Sequence, residues 1–302
     1  MYARQEVWGT LIAAYLFLGG VGGATAAIGL TADQFFKPDR RMGVIAALSS
    51  LVFLAAGTVL LLADLLQPLN TIYFFMNPGS WIFWGIMFIV GMMGFEVLYV
   101  LPYLEDWPLV GLLSRGLAFL KSWQKATALL GALCGFAVTV YTGFLLSAAP
   151  GIPFWNTLLL PTLFTVSAFS TGLAYLMVAL TLAGGKSGWH EVGGLGRIDA
   201  GAIVLEVAVL TAFLGLAWYS GRPEAAYSVI TLLGNLGFVI GFLLLGVLAP
   251  LALEVYVLIK GHAGAATMAR ANLYLLSGLL VLAGGYLLRQ YVLWAGFYVK
   301  TW

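Results

Sequence analysis

Eight long apolar stretches dominate this sequence, and each is long enough to cross a lipid bilayer as a helix. A transmembrane helix needs about 20 mostly apolar residues, and open strands cannot cross lipid because their backbone groups would stay unpaired. The stretches are residues 8–30, 43–66, 81–101, 126–146, 157–183, 200–219, 229–259 and 271–297. The sequence therefore predicts an all-α bundle of eight transmembrane helices, forming a single integral membrane domain over residues 1–302.

The composition supports a polytopic membrane protein and excludes several other classes. Of the 302 residues, 62% are hydrophobic and 9% are charged, whereas a soluble domain is about 25% charged. The net charge of +2 comes without a basic cluster, so nothing favours nucleic-acid binding. The single cysteine, Cys134, excludes an intrachain disulfide and a Cys-ligated iron–sulfur cluster. The residues before Trp8 include Arg4 and Glu6 rather than a basic signal-peptide region, so the first stretch is expected to stay as helix one.

Lysine and arginine are concentrated on one side of the predicted bundle. The connections after helices one, three, five and seven hold ten of the 14 basic residues: Lys37, Arg40, Arg41, Arg115, Lys121, Lys125, Lys186, Arg197, Lys260 and Arg270. Basic loops stay in the cytoplasm, so this side is predicted to be cytoplasmic and both termini are predicted to face outward. The loops at 67–80, 147–156 and 220–228 then lie on the outer side. Residues 107–120 are too short to span and are predicted to form an interfacial or re-entrant segment.

Five ionisable residues fall inside the predicted spans, at two depths. Each costs about 2.5–3.5 kcal/mol on insertion scales, so such residues usually mark function. Glu96, Glu206 and Glu254 lie in the cytoplasmic half, whereas Asp64 and Arg289 lie in the outer half. Neutral carboxyl groups can relay protons, which makes the three glutamates a candidate proton path. Alternatively, Asp64 and Glu254 could reach the interface from helix ends, and Arg289 could extend outward to it.

The predicted spans lack histidine ligands for haem, and the sequence lacks nucleotide-binding motifs. A membrane b-type haem needs histidines within the spans, but His190 and His262 fall in predicted cytoplasmic connections. There is no Walker loop, and the glycine cluster at 193–196 is expected in a connection between helices rather than after a strand. These absences exclude bis-histidine haem and nucleotide chemistry of the known motif types.

The stretch 141–175 carries the polar and aromatic groups expected at an outer membrane surface. It runs from Tyr141 through a turn with two prolines and a glycine, which ends one helix before the next begins near Asn156. A quinone needs an apolar slot, hydrogen-bond donors for its carbonyl groups and a route for protons. Tyr141 and Asp64 lie near the outer ends of their helices and could supply the donor and the proton acceptor. Trp81 starts a helix at similar depth, although an interfacial anchor is the simpler explanation for it alone.

Several short motifs are spread in order along almost the whole chain. They are Tyr15-Leu-Phe-Leu-Gly19-Gly20, Ala63-Asp64-Leu-Leu-Gln-Pro68, Asn77-Pro78-Gly-Ser80-Trp81, Tyr141-Thr-Gly-Phe-Leu-Leu-Ser147, Pro153-Phe-Trp-Asn156-Thr, Phe169-Ser170-Thr171-Gly172 and Leu282-Ala-Gly-Gly285-Tyr-Leu-Leu-Arg289. With these motifs the sequence resembles the NrfD/PsrC family, the membrane subunits of polysulfide-reductase-type respiratory enzymes. The resemblance implies eight helices with both termini outside and no haem or iron–sulfur cluster in this chain.

The same resemblance implies a site and partners. Menaquinone or ubiquinone would bind near the outer face of a bacterial or archaeal cytoplasmic membrane. Electrons would pass to or from an iron–sulfur subunit docked there, which serves a molybdopterin or multihaem catalytic subunit. By motif position Tyr141 matches the family's quinone-contacting tyrosine. Tyr141 and Asp64 are therefore the candidate catalytic residues, and Asn156, Trp81 and Arg289 complete the candidate quinone-binding set.

Two other classes fit the composition and topology. A secondary transporter or channel would use acidic groups near the midplane, but such folds usually show a matched pair of broken helices. A purely structural anchor would hold an extramembrane enzyme without touching quinone. Quinone and an iron–sulfur protein that both co-purify with the protein would favour the respiratory subunit over either alternative.

Overall fold

The computed structural model describes residues 2–35, 41–65, 76–104, 118–183, 185–260 and 268–299. Within these ranges, eight helices are long and apolar enough to cross a membrane, so the predicted all-α bundle is confirmed. The helices are α1 (Thr10–Phe35), α2 (Arg41–Asp64), α3 (Trp81–Val100), α4 (Gln124–Ser147), α5 (Leu159–Ala183), α6 (Gly185–Tyr219), α7 (Pro223–Leu233), a π-helix (Gly237–Leu248), α8 (Ala249–Lys260) and α9 (Met268–Trp294). Most of the segment predicted at 107–120 lies outside the described residues, which resume with a short 3-10 helix, Ala118–Trp123.

The sixth span starts much earlier than the sequence suggested. We expected it at residue 200, with the glycine cluster at 193–196 in a connection, but α6 begins at Gly185. The earlier start was missed because Arg197 and Asp199 interrupt the apolar pattern. Asp199 is nevertheless fully buried, and Gly196 packs against the ring of Tyr274. The helix therefore carries a buried carboxyl group that the sequence interpretation had assigned to a loop.

The seventh predicted span, 229–259, is not one helix. The short helix α7 ends at Leu233, and a new helix starts after Asn235. The Asn235 side-chain oxygen accepts hydrogen bonds from the N–H groups of Gly237 (2.8 Å) and Phe238 (3.2 Å). This cap starts the π-helix, which continues into α8 to complete the membrane span Gly237–Lys260. The prediction of a continuous helix was wrong because an Asn cap looks like an ordinary polar residue within an apolar run.

The helices form two groups that meet along α1 and α5. In the first half of the chain, α1 contacts α2 and α4, and α3 contacts α4; in the second half, α5 contacts α6 and α9, and α9 contacts the π-helix and α8. Close backbone approach between the helices depends on glycine. A Cβ on Gly23 of α1 would lie 2.6 Å from the carbonyl oxygen of Gly135 in α4. Small residues therefore allow tight helix contacts, as is common within membranes.

The first and the last described residues lie at the same end of the bundle. Strand β1 (Tyr2–Arg4) pairs antiparallel with β2 (Phe297–Val299), with Ala3 opposite Tyr298. The loop between α4 and α5 lies at this end as well, because the Trp155 indole donates a hydrogen bond to the Val292 carbonyl oxygen (2.9 Å) and stacks on Trp8. We call this the terminal end of the bundle and the other the opposite end.

Candidate functional site

Two tyrosine hydroxyl groups meet where four helices of the first half converge. Tyr141 of α4 and Tyr15 of α1 are 4% and 3% exposed, and their hydroxyl groups lie close enough to interact. The Tyr141 ring fills the space left by the missing side chain of Gly85 on α3, where a Cβ would overlap the ring. Tyr15 lies beside Gly57 of α2, where a Cβ would be 3.6 Å from the Tyr15 Cδ2 atom. Glycines on α2 and α3 thus make room for the pair.

An aromatic stack covers the tyrosine pair on the side of the terminal end. The rings of Trp81 and Phe144 stack with centroids 4.9 Å apart and an interplanar angle of 13°. Trp81 is four residues before Gly85 on α3, and Phe144 is three residues after Tyr141 on α4, so each lies one turn further along its helix. The stack therefore lies directly above the contact between Gly85 and Tyr141.

A groove opens beside this stack toward the lipid. Gly79, Trp81, Trp84 and Phe88 line it, and its volume is about 350 Å³. Trp81 and Trp84 are about half exposed, as a lipid-facing position requires. Trp81 thus contributes to both the groove and the stack, so it links the membrane with the buried tyrosines.

Asp64 lies on the side of α2 that faces the tyrosine pair. It is the last residue of α2 and follows Gly57 by seven residues, which is two helical turns and about 10 Å along the axis. Its side chain is half-buried. Asp64 is therefore on the helix face that contacts Tyr15, but closer to the terminal end.

Asn156 and Arg289 lie elsewhere. The Asn156 side-chain amide is exposed and donates a hydrogen bond to the Ser147 carbonyl oxygen (2.8 Å), which closes the loop between α4 and α5. Arg289 is fully buried in the second half, on the other side of α1 from Tyr15, and does not extend to the interface. The structure thus brings Trp81 and Asp64 toward Tyr141 but leaves Asn156 and Arg289 apart from it.

Arg289 is held by carbonyl groups, a serine and two aromatic rings. Its Nη1 atom donates to the Gly285 carbonyl oxygen (2.7 Å), and its guanidinium lies over the rings of Phe17 and Phe164. Gly20 of α1 makes room for it, since a Cβ there would be 2.8 Å from Nη2. The Ser167 hydroxyl, 3.5 Å from Nη1, also interacts with the carboxyl group of Glu206. Ser167 therefore connects a buried cation with a buried acid.

A second acidic group in this half involves Glu254 and a residue that the sequence interpretation missed. Glu254 accepts a hydrogen bond from the Ser277 hydroxyl (2.7 Å), and Asp199 accepts one from the Ser170 hydroxyl (2.7 Å). Both carboxyl groups are fully buried and lie within hydrogen-bonding reach of each other. Glu254 therefore does not reach the interface. A signal for Asp199 was available, because it precedes Glu206 by two helical turns on the same face of α6.

Glu96 belongs to the other half of the bundle. It is fully buried on α3 and accepts a hydrogen bond from the Ser50 hydroxyl of α2. One turn further along α3, the Tyr99 hydroxyl donates to Asp33 of α1 (2.6 Å). The three glutamates that we predicted along one proton path thus lie in two clusters, Glu96 in the first half and Glu206 with Glu254 in the second.

Potential metal ligands do not cluster in the part of the protein that the structure describes. The side chain of His190 and all of His262 lie outside the described residues. Among the described residues, no group of three or more His, Cys, Asp or Glu side chains could hold a metal ion.

Comparison with known proteins identifies the family. The family model described as "Polysulphide reductase, NrfD" matches residues 2–300. The C subunit of polysulfide reductase from Wolinella succinogenes is 29% identical over 307 residues, which cover 96% of this protein and 94% of the relative. Protein NrfD of Escherichia coli is 28% identical, with 96% of this protein and 95% of the relative covered. The NrfD homolog of Haemophilus influenzae is 26% identical, with 96% and 94% covered. The protein is therefore a multi-pass membrane protein that belongs to the NrfD/polysulphide reductase family, as its sequence motifs indicated.

Proposed function

We propose that this protein is the quinone-reactive membrane subunit of a respiratory oxidoreductase complex. It exchanges electrons between menaquinone or ubiquinone and an iron–sulfur subunit docked at the terminal end, which faces the periplasm. That subunit in turn serves a molybdopterin or multihaem catalytic subunit. The observation that carries the proposal is the buried hydroxyl pair of Tyr15 and Tyr141 beside an aromatic groove open to lipid.

The residues around the pair fit a quinone head group. The indoles of Trp81 and Trp84 line a groove that suits a flat ring and an apolar tail. A phenol hydroxyl is a hydrogen-bond donor that a quinone carbonyl oxygen can accept, and its burial excludes competing water. The Trp81–Phe144 stack lies between groove and hydroxyl pair, so Trp81 must turn aside to admit a ring. Quinone, when bound, supplies a redox couple that exchanges two electrons and two protons.

Protons have candidate carriers near this site. Asp64 lies on the face of α2 that leads from Tyr15 to the terminal end, and its carboxyl group can accept or release a proton there. Glu96 lies on the same helix as Gly85, eleven residues away, or about 16 Å along the axis. We infer that Asp64 exchanges protons with the site and that Glu96, with Ser50, Asp33 and Tyr99, extends the route toward the cytoplasm.

The proposal predicts that quinone co-purifies with the intact complex. Extraction of the membrane complex with organic solvent should recover menaquinone or ubiquinone in about stoichiometric amount, together with iron–sulfur protein, because the site is buried and apolar. The same protein purified from cells unable to make quinone provides the blank. Iron–sulfur protein without quinone would favour a structural anchor, and the absence of both would favour a transporter.

Asn156, a candidate quinone-binding residue in the sequence, is expected to affect stability but not turnover. Asn156→Ala should lower the free energy of unfolding by about 1 kcal/mol, because the hydrogen bond that closes the loop is lost. Quinone-dependent turnover should stay unchanged, since the amide does not lie with the tyrosine pair. Thermal unfolding in detergent and turnover in membranes measure the two effects separately. A loss of turnover with normal stability would place Asn156 in the quinone site after all.

A further inference from the structure

Two buried carboxyl groups meet in the second half, at a distance from the tyrosine pair. Asp199 of α6 and Glu254 of α8 are both 0% exposed. One oxygen of each accepts a serine hydroxyl, from Ser170 and Ser277 respectively. The second oxygen of each, Asp199 Oδ2 and Glu254 Oε2, has no donor among the described residues. The two carboxyl groups nevertheless lie within hydrogen-bonding reach of each other.

This arrangement requires a proton between the two groups. An ionised carboxylate only accepts hydrogen bonds, so two carboxylates facing each other have no donor for the contact. Two like charges in contact inside a membrane cannot both persist, because the low dielectric leaves their repulsion unscreened. With one shared proton, the same contact becomes a charge-assisted hydrogen bond and the pair carries a single negative charge.

The surrounding ionisable groups connect the pair in two directions. Toward the opposite end, Glu254 interacts with Tyr274 of α9, which interacts with Arg197 and Arg270. Toward the terminal end, Asp199 interacts with the charge of Glu206. Glu206 is in turn linked to Arg289 through Ser167. Apart from Arg270, Arg289 is the only charged residue of α9. On α5, Ser167 and Ser170 are one turn apart, so the two serine–carboxyl contacts are successive steps along one helix.

We propose that Asp199 and Glu254 form a binding site for one exchangeable proton. The site is filled from the opposite end through Tyr274 and leads toward Glu206 and Arg289. The proton moves as follows: a proton that arrives at Glu254 displaces the shared proton toward Glu206, and the pair returns to its singly protonated state. No electron moves and no bond other than O–H changes. Coupling of this movement to turnover rests on the proposed function, whereas the shared proton itself does not.

Infrared spectroscopy of the purified complex tests the shared proton directly. The wild type should show a carboxyl C=O band that shifts in D₂O, and Asp199→Asn should abolish it because the new amide donates to Glu254 and leaves it ionised. Ser170→Ala keeps both carboxyl groups and should shift the band without removing it. Glu224→Gln, which alters a half-buried acid in the first turn of α7, is the matched control and should change nothing. A spectrum of Asp199→Asn that equals the wild type would overturn the proposal.

Proton uptake by complexes in liposomes tests whether the proton is exchangeable during turnover. Asp199→Asn and Glu254→Gln should each reduce the number of protons taken up per electron from the opposite side, whereas Glu224→Gln should not. If the infrared band is lost but the proton count stays at the wild-type value, the shared proton is structural, and the proposal that it exchanges during turnover is wrong. If the wild type shows the band but no turnover with any quinone, the proposed function fails while the shared proton stands.

Discussion

Replacing Tyr141 by phenylalanine is expected to lower quinone-dependent turnover about 100-fold, because the substitution removes the hydroxyl group that, in the proposed site, positions and protonates a quinone oxygen. The effect on assembly should be small, since the phenylalanine ring fills the same space against Gly85. Turnover is measured with a soluble quinol analogue in membranes that contain equal amounts of the complex. Loss of turnover at normal complex content is the expected result.

Substitutions of two other tyrosines show whether a loss of turnover is specific to the proposed site or follows from losing any buried tyrosine hydroxyl. Tyr15→Phe leaves the Tyr141 hydroxyl in place but removes its partner, so turnover should fall by less than in Tyr141→Phe. Tyr175→Phe removes a comparable contact, the hydrogen bond from Tyr175 to Ser49 (2.6 Å), away from the groove. It should leave turnover unchanged. If all three substitutions had the same effect, the tyrosine pair would have no special role, and the proposed site would be wrong.

The helix count and the position of Tyr141 could be predicted from the sequence because they depend on local patterns. A bilayer imposes a fixed length on each apolar run, so eight runs gave eight spans, and their motif positions indicated the family. Tyr141 was singled out by its place near a helix end before two prolines and by its motif position, and its role at the site stays a prediction. Neither inference required knowledge of which helix faces which.

The partners of the buried charges could not be predicted because they depend on how the helices pack. Glu96 and Glu206 look alike in the sequence, yet one faces Ser50 in the first half and the other faces Ser167 in the second. Asp199 fell just outside the predicted sixth span, which was placed at residues 200–219, so its burial was not foreseen. Pairing with Ser170 and Glu254 makes its burial affordable, and that pairing involves residues far apart in the sequence.

The largest expected effect on stability comes from Arg289. Arg289→Met should lower the free energy of unfolding by about 3 kcal/mol, because Glu206 would remain buried without its cation and three carbonyl and hydroxyl partners would lose their donor. The side chain of methionine fills much of the same space, so the loss reports charge and hydrogen bonding rather than a cavity. Thermal unfolding of the purified complex in detergent measures the change.

A double substitution decides whether Arg289 acts through Glu206. Arg289→Met combined with Glu206→Gln should recover part of the lost stability, since the neutral amide no longer needs a cation and can still contact Ser167. Arg222→Met replaces an exposed arginine at the terminal end and should have no measurable effect. If the effects of Arg289→Met and Glu206→Gln simply add, the two groups are not coupled. The proposed proton route from Asp199 and Glu254 would then end at Glu206, and Arg289 would serve only to hold α9 against α1 and α5.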